Sequence, residues 1–247
     1  MAKLGRSTSI LLRAFGLLVL AATSWAQSCP PAAEKIAKAY GFDSWGQVDA
    51  IRYTFNADLP ALKLKLSRSW VWEPKADRVS YEGKDKAGNP VKATYVRSQL
   101  SSQPDNVKNE IDPGFVNDQY WLVFPFHTCW DTSAKVEDKG MQKLPLGAGS
   151  ARQVVVQYSN EGGYTPGDTW ELFVGPDNRV KQLFFRHGAG AKAPIKNTIV
   201  TWAGYRKAGP LLFSTDHHGT ADGKPVSITF TNVAVKLAGS DTWVNAQ

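Results

Sequence analysis

The chain has 247 residues, 43% of them hydrophobic and 21% charged, and a formal net charge of +7. Three cations, Lys3, Arg6 and Arg13, lie without any acid in the first 26 residues, so the remaining 221 carry only +4, and that charge is scattered. The spread excludes a basic stripe of the kind that binds nucleic acid, and the length suits one large all-β domain with a sizeable core.

At the N-terminus those cations precede an apolar run, residues 14–22, and then the small residues Ser24 and Ala26. Basic, apolar and small-residue segments in that order make a secretory signal, with cleavage expected after Ala26. The run is too short to span a bilayer, which takes about 20 residues, and no second apolar span follows. The expected product is a periplasmic or secreted bacterial protein, residues 27–247. Its two cysteines, Cys29 and Cys129, would form a disulfide in an oxidising compartment. Closing a loop of ~100 residues, the bridge would contribute about 4–5 kcal/mol in the chain-entropy view. Lipidation of Cys29, which follows the small Ser28, and two free thiols are the alternatives.

Residues 31–40 are Ala-rich, with Pro31 at the start and Gly41 just beyond the end, which predicts a helix with Ile36 and Tyr40 on one face. The period then changes to two. Ile51, Tyr53 and Phe55 alternate with polar residues, and Leu62, Leu64, Leu66, Trp70 and Trp72 share one parity broken only by Arg68. Both runs read as strands with a buried face, the second long enough for a wide curved sheet. After turns at 74–77 and 84–90, residues 79–81 and 91–95 continue a meander. Residues 101–113 are polar and aperiodic and read as a loop. Asp112-Pro113 reads as an N-cap with Pro at the first helical position, opening a helix with Phe115, Val116, Tyr120 and Val123 on one face. Pro125 should end it. Amid strands, this aromatic helix is expected to act as a lid or plug.

Beyond it, strands are expected at 135–139, 153–158, 198–205, 211–215 and 226–235. A hairpin is expected at 169–174 and 180–186 around the turn Gly175-Pro176-Asp177-Asn178. Its residues are apolar on both faces, Trp170, Leu172 and Val174 against Phe173, and Val180 and Phe184 against Leu183 and Phe185, so both sides need a cover. The total is about eleven antiparallel strands in one mainly β domain.

Candidate chemistry is sparse. Asp216 and His218 would share a strand face with His217 opposite, but three converging zinc ligands are not evident and no metal is expected. Glu171, between Trp170 and Leu172, is a carboxylate whose pKa burial would raise, or else the cross-strand partner of Lys181 or Arg186. No GxSxG, phosphate loop or dinucleotide fingerprint occurs, so no cofactor is implied. Lys63, Lys65 and Arg68 around Trp70 and Trp72 read as a solvated strand face.

Four stretches, residues 117–126, 163–174, 202–213 and 228–235, together with the order of elements, resemble the periplasmic lipoprotein-carrier fold of the LolA/LolB type, an unclosed β-half-barrel. The resemblance implies a concave apolar sheet closed by helices and able to shelter an acyl chain. Besides that lipid or acylated ligand, contact with a membrane surface or envelope protein and a monomeric state are expected. Trp70, Trp72, Tyr120, Trp121, Trp170, Phe184 and Trp202 are then expected to line or cover the ligand, the alternative being that the same aromatics fill the interior as side chains do in small barrels. A hydrolase using Glu171 or Asp216 with His218, and an envelope-assembly module recruiting a partner at its sheet edge, are the other two classes.

Overall fold

The structure, a computed structural model, describes residues 29–247 apart from 86, 162, 163, 165 and 190–193. The export segment and its cut after Ala26 lie outside the described residues. The strands are β1 (Val48–Leu59), β2 (Leu64–Glu73), β3 (Arg78–Lys84), β4 (Pro90–Val96), β5 (Lys135–Lys143), β6 (Ser150–Gln157) and β7 (Thr169–Val174). They continue with β8 (Val180–Arg186), β9 (Asn197–Thr201), β10 (Ala203–Ala208), β11 (Leu211–Ala221), β12 (Lys224–Leu237) and β13 (Trp243–Asn245). All belong to one antiparallel sheet in the order β4-β3-β2-β1-β12-β11-β9-β8-β7-β6-β5, with β10 on β11 and β13 on β12. β4 and β5 remain free edges, so the sheet does not close into a barrel. Among the described residues there are thirteen strands rather than eleven. The expected strand at 198–205 breaks at Trp202, where Gly204 takes a φ of +64° against Thr215 and Asp216, and β13 adds a short C-terminal strand.

Helix α1 (Pro31–Ala39) forms as expected and buries Ile36; Tyr40, just past its end, is buried beside it and donates to or accepts from Tyr205 at 2.9 Å. The segment read as a loop is instead ordered, with a 3-10 stretch at Arg97–Ser102 and one π-helical turn, Val107–Ile111, that runs straight into α2 (Asp112–Trp130). Asp112 is therefore no N-cap. Its buried carboxylate accepts from Tyr95 (2.9 Å), Arg97 (2.8 Å) and Tyr164 (2.5 Å). Nor does Pro125 end the helix. The missing donor is absorbed at Val123, which leaves helical geometry (φ −122°, ψ 23°), and the chain continues because burial of the last turn outweighs a broken backbone bond. That extra turn carries Cys129 to Cys29, with which it forms a disulfide (Cα–Cα 4.9 Å).

The expected apolar parity of residues 62–72 holds over only half its length. Leu62 lies in the 3-10 turn Pro60–Leu62, closed by Lys63 in the left-handed region, and is 46% exposed; Leu64 is 37% exposed. Pro60 presets the turn, so the hairpin reverses where the hydrophobic pattern alone suggests one long strand.

The hairpin β7–β8 is apolar on both faces, and each face has its cover. On the concave side Trp170, Leu172, Leu183 and Phe185 pack under α2: the Phe124 ring stacks on Trp170 at 4.0 Å and 14°, and Trp121 packs on Trp170 and Phe185. On the convex side Phe173 lies beside Gln182, whose amide donates to the Leu146 carbonyl (2.8 Å) and accepts from its N–H (2.9 Å), holding the 144–149 connection over the sheet. Rather than a lid over a void, α2 is a buried plug whose aromatic side chains fill the hollow beneath residues 115–126.

Candidate ligand cavity

The sheet outruns its plug. Where α2 begins, Arg68 and Trp70 of β2 meet Asp118, and the more distal parts of β1 to β4 extend past the helix to enclose an open cavity of about 1260 Å³. Its lining is mixed: Ala57, Leu64, Leu66, Trp70, Val91 and Ile111 are apolar, Asp58, Lys65, Arg68, Glu82, Lys84 and Asp85 bring charge, and Asn106, just before the π-helical turn, with Asn109 and Glu110 in it, stands on the helical side. Gly83 shapes this wall. A Cβ there would stand 2.2 Å from the Tyr81 hydroxyl, so only glycine lets the Tyr81 ring fold along its own strand and donate to the Lys84 carbonyl (3.2 Å).

The floor is a buried ion pair. Arg68 grips the wholly buried Asp118 with two bonds, Nε to Oδ2 at 2.8 Å and Nη2 to Oδ1 at 2.5 Å. Trp70 Nε1 (2.9 Å) and Asn117 Nδ2 (3.0 Å) complete the shell. Burial raises the Asp118 carboxyl above the ordinary carboxylate range, and the charge and hydrogen bonds of Arg68, with those of Asn117 and Trp70, offset that rise only in part. Gly114 lets the guanidinium lie against the helix, since a Cβ there would be 3.2 Å from Arg68 Nη1.

Of the seven residues expected around a ligand, only Trp70 lines this cavity. Trp72 packs with Trp45, Phe115 and Trp130. Trp121, Trp170 and Trp202 form the interior stack, and Tyr120 stacks on His127 at 3.8 Å. Phe184 points to the convex face beneath the Arg186 guanidinium, 3.6 Å from its ring centre. The lining residues missed from sequence include Arg68, Tyr81, Gly83, Val91 and residues 106–111. For Arg68 a signal existed: it is the lone cation in an otherwise apolar parity.

The candidate catalytic groups lie elsewhere. Glu171 accepts from Arg186 (2.7 Å) and Gln153 (2.7 Å) on the convex face, the cross-strand pairing considered for it. Asp216 and His218 pair at 2.6 Å on the outer surface, while His217 is buried against Trp202 and has its pKa lowered to about 3 by desolvation.

No family model matches the chain, and no curated protein matches it. Solved structures similar to it include a DUF1329 family protein from Desulfovibrio piger, at 8% identity over 85% of this chain and 94% of that one, TM-score 0.43. A putative outer membrane lipoprotein-sorting protein domain from Vibrio parahaemolyticus is similar at 10% identity, over 85% and 95%, TM-score 0.43. A LolA superfamily protein from Nitrosomonas europaea is similar at 7% identity, over 83% and 92%, TM-score 0.46. The likeness is one of overall chain path and transfers no residue. Among the described residues no helix is long and apolar enough to cross a membrane.

Proposed function

We propose that this is an exported, non-catalytic carrier that holds an acyl chain or similar apolar ligand in the cavity between β1–β4 and the 106–111 turn. One observation carries the reading: an open cavity of about 1260 Å³, with an apolar stretch of wall and charged groups around it, persists beside a helix that fills the rest of the half-barrel. Pockets for drug-sized ligands are roughly 300–1,000 Å³, so there is room for at least one long chain. Each buried methylene contributes about 0.8 kcal/mol, giving on the order of 10 kcal/mol gross for about 16 carbons. Exposed rim charges such as Lys65 and Lys84 would each add at most about 1 kcal/mol and bias the headgroup only.

The test is native mass spectrometry of protein purified without detergent, followed by titration of the delipidated protein with a fluorescent fatty acid. Trp70, in the cavity wall, is the intrinsic reporter. Co-purified lipid, saturable uptake, and weakened uptake in Val91→Trp, which fills the cavity from the β4 edge, are the expected results. Absence of both bound lipid and saturable uptake, or uptake indifferent to Val91→Trp, overturns the reading.

A further inference from the structure

At the far end of α2 lies a second, separate pocket of about 550 Å³ with a more polar lining than the first. Its centre is Asp131, the residue after the helix. Three donors converge on one oxygen of this carboxylate: Tyr158 Oη at 2.6 Å, Tyr120 Oη at 2.8 Å and His127 Nδ1 at 3.0 Å, all on Oδ2. The other oxygen, Oδ1, takes no hydrogen bond among the described residues, and the side chain keeps 20% of its surface exposed, in the pocket wall. Around it stand the rings of Tyr120, Trp130, Tyr158 and Tyr164, with the Glu161 carboxylate at the rim.

The cations nearby are already engaged. Arg97, which also lines the pocket, is held by Asp112 at 2.8 Å. Both ring nitrogens of His127 are occupied, Nδ1 by Asp131 and Nε2 by Gln119 Oε1 at 2.9 Å. That same Gln119 contact keeps Nε2 from serving a nucleophile, so the Asp131–His127 pair is not half of a hydrolytic triad. Burial alone would push the Asp131 carboxyl up, but the hydrogen bond and charge of His127, with the two tyrosine hydroxyls, bring it below the usual carboxylate range. The anion is thus locked in place, oriented, and left with one free acceptor among aromatic faces. An N–H cation satisfies both features at once, by a charge-assisted hydrogen bond and by lying against the rings.

We infer that the pocket formed by Asp131, Tyr120, Trp130, Tyr158 and Glu161 binds a primary ammonium group, supplied by a small free amine or by an aminated lipid headgroup. Binding is measured calorimetrically with n-butylammonium, using tetramethylammonium as the cation without N–H, and by flotation with vesicles containing phosphatidylethanolamine or only phosphatidylcholine. Saturable binding of n-butylammonium in preference to tetramethylammonium is expected for a free-amine site. Retention on phosphatidylethanolamine vesicles alone is expected where the headgroup is the source.

Asp131→Asn keeps the shape and removes the charge, and should weaken binding about tenfold or more. Glu161→Gln, at an exposed position that cannot unfold the protein, should weaken it about twofold to fivefold. Should Asp131→Asn fail to fold, Glu161→Gln and Tyr158→Phe, which keeps the ring but removes one donor to the Asp131 carboxylate and so changes its affinity for the cation, decide the matter. No binding of either probe, equal binding of quaternary and primary ammonium, or affinity unchanged in these variants overturns the inference. The inference is independent of the apolar cavity: Val91→Trp should leave amine affinity unchanged, so either assignment can fail alone.

Discussion

Removing Arg68 tests the floor of the cavity most directly. In Arg68→Met the packing of the aliphatic stem is largely kept, but Asp118 loses both guanidinium bonds and keeps only Trp70 and Asn117. Its side chain has no exposed surface, whereas that of Arg68 retains 21%. The variant therefore strands a buried anion, and such losses cost about 3–5 kcal/mol. Because Arg68 itself is partly wet, a value near the lower end, about 3 kcal/mol, is expected. Urea unfolding at neutral pH, followed by tryptophan fluorescence, measures it. The pH dependence gives a second handle. Asp118 is already held above the ordinary carboxylate range by burial, and without the charge and hydrogen bonds of Arg68 only Trp70 and Asn117 oppose that burial, so its folded pKa rises further above the unfolded value of about 3.9. The folded variant then binds a proton that the unfolded chain has released, and its stability falls as pH rises through that window. Its deficit relative to the parent should therefore shrink as pH is lowered towards about 4. The double variant Arg68→Met with Asp118→Leu should recover most of the loss, since it leaves no uncompensated charge. A single-variant cost below about 1 kcal/mol, with no pH dependence of the difference, would refute this account of the ion pair.

Three further outcomes are expected. His217 is neutral and buried, with a folded pKa of about 3 below its unfolded value, so it contributes stability above the unfolded pKa that is lost as pH falls; His217→Phe should remove about 2 kcal/mol of acid sensitivity between pH 7 and pH 5, read from paired urea melts. Cys129→Ser should cost about 4 kcal/mol, because the bridge spans 100 residues, and a reducing agent should lower the parent's melting temperature but not the variant's. Trp170→Ala, which deletes the ring stacked on Phe124, should cost about 3–5 kcal/mol in chemical denaturation, whereas Phe184→Ala on the convex face should cost far less.

Much of the local structure was legible because its causes are local. Alternation at 51–55 and the Pro-Asp-Asn turn at 176–178 specify hairpins from a few neighbouring residues, and α1 announces itself by Pro31 and Gly41. Where the reading failed, a distant partner decided. Pro125 should stop a helix, yet the turn beyond it packs His127 on Tyr120 and brings Cys129 to Cys29. Asp112 has the look of a cap, but its carboxylate serves Tyr95, Arg97 and Tyr164. Arg68 stood out as a cation in an apolar parity, but its partner lies 50 residues away on another element.

The amino-acid sequence by itself determined the strand-and-turn grammar, the one aromatic helix and the mainly β class, since propensity, period and turn chemistry act over a few residues. Only the tertiary structure decided which apolar side chains are spent on filling and which border open space. That depends on how far β1–β4 reach past the start of α2, on the pairing of β1 with β12 across the chain, and on the convergence of three donors on Asp131. An aromatic residue looks the same in a sequence whether it plugs a half-barrel or lines a cavity, and its surroundings are set by contacts that no local pattern encodes.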